Sequence, residues 1–408
     1  MSIHIILGAG QTGGWAATAM RQAGFSGRIL LIGEEIWRPY ERPPLSKAWL
    51  SAPNEPPIQY FHTESRYAEL GIEFVGGRTA LAIDPIGQRV RLDDGATLAY
   101  DKLLFATGGK ARAMAVPGGE HALTLRTVED ARRLRKNLAN ARRVICIGAG
   151  VIGLEIAASA RRAGLDVTVI EAGPTPMGRS VPPEISDFIT RLHREAGTKL
   201  HFDMAVEAID AAPDGTVSVF CGRGFGLVAD LVVAGIGMER NVELARSAGV
   251  AIDGGILVDP FGQTSVANIY AAGDIAAFWH PLFDRHLRLE AWRHAQNHGV
   301  SVGQAMAGKP TPYADIPWFW TDQHGVNLQV AGLPELATRT IFRPGADWRH
   351  FTALHLLDDN TVIGVTAANT PRDIRAGTAM IQAGLPVDAD ALDDPRIPLA
   401  SLVPRRPG

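Results

Sequence analysis

One arrangement of apolar and polar positions occurs twice along the chain. Ile3-His4-Ile5-Ile6-Leu7 and Val144-Ile145-Cys146-Ile147 are short apolar runs of the kind that form fully buried strands. Each enters a glycine cluster, then a helical pattern (residues 15–23 in the first copy), then a second apolar run at 28–32 and 165–170. Elsewhere the texture differs. Residues 72–100 read as a β-meander, short strands broken at Asp84-Pro85, Ile86-Gly87 and Asp93-Asp94-Gly95. Lys102-Leu103-Leu104-Phe105 is a buried strand that leaves through Ala106-Thr107-Gly108-Gly109, small residues that let a ligand come close. Arg126-Thr127-Val128-Glu129-Asp130 opens a helix with acids in its first turn. Two further apolar strands end at Gly235-Ile236-Gly237 and Gly273-Asp274, and a helix is predicted around 290–307. From 316 on, strands at 327–331, 338–342, 351–357 and 362–367 and a helix over 371–383 read as an α+β domain.

The glycines give the repeated unit its chemistry. Gly8-Ala9-Gly10-Gln11-Thr12-Gly13 and Gly148-Ala149-Gly150-Val151-Ile152-Gly153 both have the spacing G-x-G-x-x-G. Between a strand and a helix, the first glycine allows a tight turn. The second lets the backbone approach a pyrophosphate, and the third lets helix and strand pack closely. An anion is favoured at the helix N-terminus by unsatisfied N–H groups and the macrodipole. Glu34 and Glu171 each follow the last glycine by about twenty residues, where an acid bonds a ribose 2′-OH. Two such units imply two redox cofactors face to face, one fixed and one exchangeable. A hydride moves only between atoms ~3–3.5 Å apart, so positioning is the main task of the protein.

Composition narrows the picture. A chain of 408 residues is expected to form two or three domains. With 46% apolar and 20% charged residues and a net charge of −3, neither nucleic acid nor an anionic membrane is an expected partner. No apolar run approaches the ~18–20 residues of a membrane span. The first strand begins at once, without a charged leader, and predicts no targeting signal. The two cysteines, Cys146 and Cys221, lie far apart. That fits a reducing cytoplasm and excludes a C-x-x-C redox pair.

A set of motifs in fixed order carries a resemblance. It comprises Tyr40-Glu41-Arg42-Pro43-Pro44-Leu45-Ser46-Lys47, Ala106-Thr107-Gly108-Gly109, Leu125-Arg126-Thr127-Val128-Glu129-Asp130-Ala131, Gly148 to Glu155, Tyr270-Ala271-Ala272-Gly273-Asp274 and Pro317-Trp318-Phe319-Trp320-Thr321-Asp322-Gln323. Over essentially its whole length the chain resembles the FAD-dependent, NADH-oxidising ferredoxin reductases of bacterial ring-hydroxylating dioxygenase and cytochrome P450 systems. The resemblance implies an α/β fold with two Rossmann-like dinucleotide-binding domains of glutathione-reductase type and a C-terminal α+β domain. Its expected boundaries are 1–112 with 238–315 for FAD, 113–237 for NAD, and 316–408. It implies tightly but non-covalently bound FAD, NADH as substrate, and a [2Fe–2S] ferredoxin partner, Rieske-type or plant/adrenodoxin-type, that feeds a terminal oxygenase. A monomer or weak homodimer is expected.

Residue by residue, the resemblance implies that Gly8, Gly10, Thr12 and Gly13 hold the FAD pyrophosphate and Glu34 its ribose. Ala80 contacts the adenosine, Arg126 the phosphates, Asp274 the ribityl chain or phosphate, and Trp292 the flavin pyrimidine edge. Arg42, Ala106, Thr107 and Gly108 join the cofactor-binding set. Lys47 lies beside the flavin, where a cation stabilises an anionic reduced ring. Glu155, Glu290 and Trp320 lie near the flavin–nicotinamide stack. Gly148, Gly150, Ile152, Gly153, Glu171, Arg179 and Gly237 hold NADH. Glu171 repels a 2′-phosphate, and Ala172 stands where an NADPH enzyme prefers arginine.

Other features have plainer readings. Pro43 and Pro44 fix an extended backbone, and Ser46 can cap the segment after it, so that Lys47 sits on a stiff support. In a strand, Trp318 and Trp320 share one face and Phe319 takes the other. His294 and His298 have i, i+4 spacing but no third ligand, so no metal site is expected. Arg132, Arg133, Arg135, Lys136, Arg142 and Arg143 read first as a solvated face. They could also dock an acidic ferredoxin, as could Arg293, Arg339 and Arg343. Rival functions are a flavin-binding interaction protein of the apoptosis-inducing-factor type, a rubredoxin reductase, and a disulfide reductase. The last needs a dithiol stacked on the flavin, and the chain has none.

Overall fold

The computed structural model describes residues 2–404. The chain divides into two compact units. One comprises the residues up to Glu41, Ile58–Lys110 and Glu239–Pro317. The other comprises Arg42–Pro57, Ala111–Met238 and the chain from Trp318 on.

The first unit is built on a five-stranded parallel sheet. Its strands lie in the order Ile269–Ala271, Lys102–Phe105, Ile3–Leu7, Arg28–Gly33, Ile72–Gly76. Ile5, Ile6, Leu31, Leu103 and Leu104 are fully buried, as continuous apolar runs in a sheet covered on both faces must be. The helices Gln11–Gln22 and Trp292–Met306 pack against each other in this unit. The meander is smaller than the turn signals suggest. Ala80–Asp84, Arg89–Leu92 and Thr97–Ala99 form it, whereas Ile72–Gly76 joins the parallel sheet. Ile72 is buried with Ile29 and Leu31. A short apolar run does not reveal which sheet it will bury against.

The second unit holds a parallel sheet in the order Lys199–His201, Asp166–Ile170, Arg143–Ile147, Leu231–Ala234. It also holds a five-stranded antiparallel sheet, in the order Trp318–Gln323, Val326–Gly332, Val362–Ala368, Phe351–Leu356, Arg339–Pro344. The helix Pro371–Ala383 lies on this sheet. One core runs from Leu154 and Ile156 of helix Val151–Arg162 to Val326, Leu328 and Val330. Leu50 of the Arg42–Pro57 segment enters the same core. Arg135 donates to the carbonyls of Trp49 (2.7 Å) and Pro53 (2.8 Å), tying that segment down.

Two local expectations change here. Pro43–Ser46 is a 3-10 turn rather than extended chain; the proline φ suits both. Ser46 does not cap the short helix Ala48–Ser51 next to it. Its hydroxyl is buried and donates to Glu155 instead. Among the described residues no helix is long and apolar enough to cross a membrane.

The buried histidines make the fold acid-sensitive. Burial pulls His193, His294 and His355 down to about 4, against about 6.5 in an unfolded chain. Above pH 6.5 both states are neutral and stability is at its full value. As pH falls towards 4 the unfolded chain takes up protons that the folded one refuses, and stability is lost. Each of the three contributes a loss on the order of 2 kcal/mol by pH 5. Urea unfolding is expected to be flat from pH 8 to 7 and to weaken steeply from pH 6.5 to 5. Equal midpoints at pH 7 and pH 5 would contradict this.

Candidate functional site

The two glycine turns are built alike. Gly8 has φ +108° and Gly148 φ +96°, a region that L side chains avoid. A Cβ on Gly8 would stand 2.2 Å from the Ala106 carbonyl oxygen, and one on Gly148 2.5 Å from that of Gly235. On Gly13 it would meet the Gly8 oxygen at 1.9 Å, and on Gly153 the Gly148 oxygen at 2.1 Å. The middle glycines differ. Nothing lies within 4 Å of a Cβ on Gly10, and only the Gly235 oxygen, at 3.8 Å, near one on Gly150. These open glycines are the N-caps of Gln11–Gln22 and Val151–Arg162, and no side chain caps either helix. Each turn therefore presents uncapped helix N–H groups beside open space, which is what a pyrophosphate needs. Thr12 is buried behind the first turn, against Gly273.

The acids differ by one position. Gly8 N–H donates to Ile32 O (2.8 Å) and Gly148 N–H to Ile170 O (2.7 Å). By that match Glu171 corresponds to Gly33, and Glu34 lies one residue further on, exposed. The Glu171 carboxylate accepts from Ala149 N–H and Gly173 N–H, both at 2.7 Å. It is thereby fixed beside its glycine turn, and Ala172 next to it is exposed. Ile152 is 41% exposed. Arg179 is exposed. Gly237 (φ +104°) follows the strand Leu231–Ala234, and its carbonyl accepts from Arg112 N–H.

In the first unit, Ala106, Thr107 and Gly108 follow the strand that borders Ile3–Leu7. Asn241 braces them. Thr107 Oγ1 donates to Asn241 O, Asn241 Nδ2 to Thr107 O, and Asn241 N–H to Gly108 O, each at 3.1 Å. Ala80 opens the meander. Asp274 sits in the turn Gly273–Ile275, whose first N–H donates to buried His298 Nδ1 (3.2 Å). Trp292 begins its helix and its indole N–H donates to Glu41. Burial raises the Glu41 carboxyl, and the indole bond partly offsets that. Glu290 is exposed and ion-paired with Arg288.

In the second unit, Lys47, Glu155 and Trp320 come together. Glu155 is 2% exposed. Its Oε2 accepts from Lys47 Nζ (2.7 Å) and Ser46 Oγ, and its Oε1 from Thr321 Oγ1 (2.7 Å). Lys47 Nζ lies 5.9 Å from the Trp320 ring centre, and Trp320 stacks on Trp318 at 5.3 Å. Glu155 is thus the buried hub of a polar cluster. Arg42 Nη1 donates to Arg126 O (2.6 Å) beside the helix Val128–Leu138, whose first turn is closed by a Thr127–Asp130 capping box. Sequence reasoning missed Ser46 and Thr321 as partners of Glu155. Alternation offered a signal for Thr321, which faces away from Trp318 and Trp320.

His294 and His298 are core residues. His294 Nδ1 bonds Tyr313 OH (2.9 Å), and His298 stacks on Tyr313. No metal-binding cluster occurs among the described residues. Much of the basic run is committed internally: Arg132 to Glu55 and Glu129, Arg143 to Asp230. Arg343 does not belong among docking residues. It is buried and donates to the carbonyls of Leu392 (2.5 Å) and Ile397 (2.6 Å). Both cysteines are buried and free, and burial pushes the Cys146 thiol up to about 12.

Residues 3–299 match the family profile described as pyridine nucleotide-disulphide oxidoreductase. The chain belongs to this family. Residues 318–403 match a second profile, described as reductase C-terminal, and the α/β fold with its α+β C-terminal domain is the family's. The chain is similar to the ferredoxin–NAD(+) reductase component of an anthranilate 1,2-dioxygenase system from Burkholderia cepacia, 38% identical with 98% of each chain covered. Among solved structures, a ferredoxin reductase from Rhodopseudomonas palustris superposes with TM-score 0.94 at 35% identity, covering 98% of this chain and 99% of that one. The reductase in a covalent putidaredoxin reductase–putidaredoxin complex gives 0.93 at 35% identity, covering 98% and 97%.

The glycines and the buried pair predict separable effects. Gly13→Ala must displace a backbone carbonyl and is expected to cost about 2–3 kcal/mol in urea unfolding. Gly10→Ala has room and should cost no more than about 1 kcal/mol, as an N-cap change, while weakening cofactor retention. Equal losses would refute the assignment. Lys47→Met leaves the Glu155 carboxylate buried without its cation and is expected to cost about 3 kcal/mol; an unchanged unfolding midpoint would show the pair to be dispensable.

Proposed function

We propose that the chain is an FAD-dependent NADH:ferredoxin reductase, passing electrons from NADH to a [2Fe–2S] ferredoxin that serves an oxygenase of aromatic catabolism. The observation that carries this is the pair of matched glycine turns, each leaving its middle glycine open at an uncapped helix N-terminus. The absence of a reactive dithiol supports a flavin working alone: Cys146 and Cys221 are buried and unpaired. When bound, the flavin supplies the conversion of a two-electron hydride donor into single electrons.

The chain's own residues bind and orient. Gly8, Gly10, Thr12 and Gly13 hold the FAD pyrophosphate, with Glu34, Ala80, Ala106, Thr107, Gly108, Asp274 and Trp292 along the same cofactor. Arg42 and Arg126 supply positive charge for its phosphates. Gly148, Gly150, Ile152, Gly153, Arg179 and Gly237 take NADH. Glu171, tied to two backbone N–H groups, offers a fixed acceptor to a ribose 2′-OH and repels a 2′-phosphate. Lys47, Glu155, Glu290 and Trp320 serve the redox centre. Residues 1–112 with 238–315 form the FAD domain in this reading, 113–237 the NAD domain and 316–408 the C-terminal domain. We further propose cytoplasmic location and a monomer or weak homodimer.

Anaerobic NADH is expected to bleach the flavin of the purified holoprotein rapidly, and an added [2Fe–2S] ferredoxin to restore its colour; absence of bleaching would end this reading. Glu171→Ala is expected to raise KM for NADH about tenfold, roughly 1.4 kcal/mol of binding, with little change in kcat. It should also narrow the preference over NADPH. Unchanged kinetics would remove Glu171 from the site.

A further inference from the structure

Behind Glu155 a chain of hydrogen bonds runs through the second unit. Thr321 Oγ1 lies 2.7 Å from Glu155 Oε1, and Gln323 Nε2 lies 2.9 Å from Thr321 Oγ1. Gln323 Oε1 lies 2.8 Å from His193 Nε2, and His193 Nδ1 lies 3.3 Å from His324 Nε2. Thr321, Gln323 and His193 are all buried. The direction of every bond follows from the carboxylate, which is paired with Lys47 and only accepts. Thr321 must therefore give its hydroxyl proton to Glu155, and its oxygen accepts from the Gln323 amide. That leaves Gln323 Oε1 facing His193, so His193 carries its proton on Nε2. Its Nδ1 is then an acceptor for His324 Nε2–H. Burial keeps both rings neutral by pulling each to about 4, so this single arrangement persists near neutral pH.

Such a chain could move protons or hold a group still. The side-chain amide decides between them. An amide between a hydroxyl and an imidazole passes a proton only by becoming its imidic tautomer, so Gln323 breaks conduction. A fully directed, buried network does fix orientation. We infer that Thr321, Gln323 and His193 are positioning residues for Glu155, fixing the plane of its carboxylate so that one oxygen meets Thr321 and the other meets Lys47 and Ser46. This rests on the placement of Glu155 at the redox centre proposed above. Misplacing a group there by about 1 Å can cost up to 100-fold in rate, although none of the three touches a cofactor in this reading.

The test is stopped-flow reduction of the holoenzyme by NADH, reading the limiting rate of flavin bleaching and the apparent Kd for NADH separately. FAD content and Tm are measured alongside. Glu155→Gln is expected to slow the limiting rate. Gln323→Leu and His193→Phe are expected to slow it about tenfold with Kd unchanged. His193→Gln, which can still donate to Gln323 Oε1, should restore most of the rate. Added to Glu155→Gln, Gln323→Leu should bring no further slowing. If Gln323→Leu fails to retain FAD, Thr321→Val against Thr321→Ser makes the same comparison. A full rate in Gln323→Leu, additivity with Glu155→Gln, or failure of His193→Gln to rescue overturns the positioning role. A full rate in Glu155→Gln removes Glu155 from the redox centre, and the inference falls with it.

Discussion

In each glycine turn a carbonyl oxygen lies about 2 Å from where a Cβ would stand, and that closeness organises what surrounds it. Gly13 and Gly153 let the helix start directly over the oxygens of Gly8 and Gly148. The helix N-terminus is thereby brought to the end of the strand rather than displaced sideways. Its first N–H groups have no side-chain cap, so the uncompensated donors and the dipole face the opening left by Gly10 or Gly150. Uncapped ends are usually a cost; here the missing cap leaves those donors available to an anion.

The two turns share a backbone but not their fittings. Glu171 is locked to its own turn by Ala149 and Gly173, while the matching position in the first unit is Gly33. A bare glycine there leaves Glu34 one residue later and solvent-facing. One unit thus carries a carboxylate fixed beside its glycine turn, and the other a glycine at the matching position. The same division holds for support. Thr107 and Gly108 are braced by Asn241 in the first unit. Lys47 in the second is held by Glu155, whose burial is tolerable only because three donors satisfy it.

The Arg42–Pro57 segment shows how a sequence expectation changes when folded. Its prolines point to a stiff support for Lys47, and Lys47 is indeed held. The stiffness, however, comes from Leu50 in the core and from Arg135 on the carbonyls of Trp49 and Pro53. Ser46, read as a cap, donates to a carboxylate more than a hundred residues away in sequence. Likewise Arg343, plausible as a surface cation, is spent on two carbonyls near the C-terminus.

The sequence alone determined the two strand–turn–helix–strand units, their glycine geometry and the acid of the second. These are set by contacts within about thirty residues, where backbone sterics and spacing leave few choices. The absence of a dithiol and the face shared by Trp318 and Trp320 were equally legible. Only the tertiary structure decided that Ile72–Gly76 joins the parallel sheet, and that Glu155 is bonded to Ser46, Lys47 and Thr321. It alone showed that Gln323 and His193 stand behind that carboxylate. Those contacts join stretches far apart in the chain. A polar residue in a sequence carries no mark of whether its partner is water or a side chain that folding brings to it.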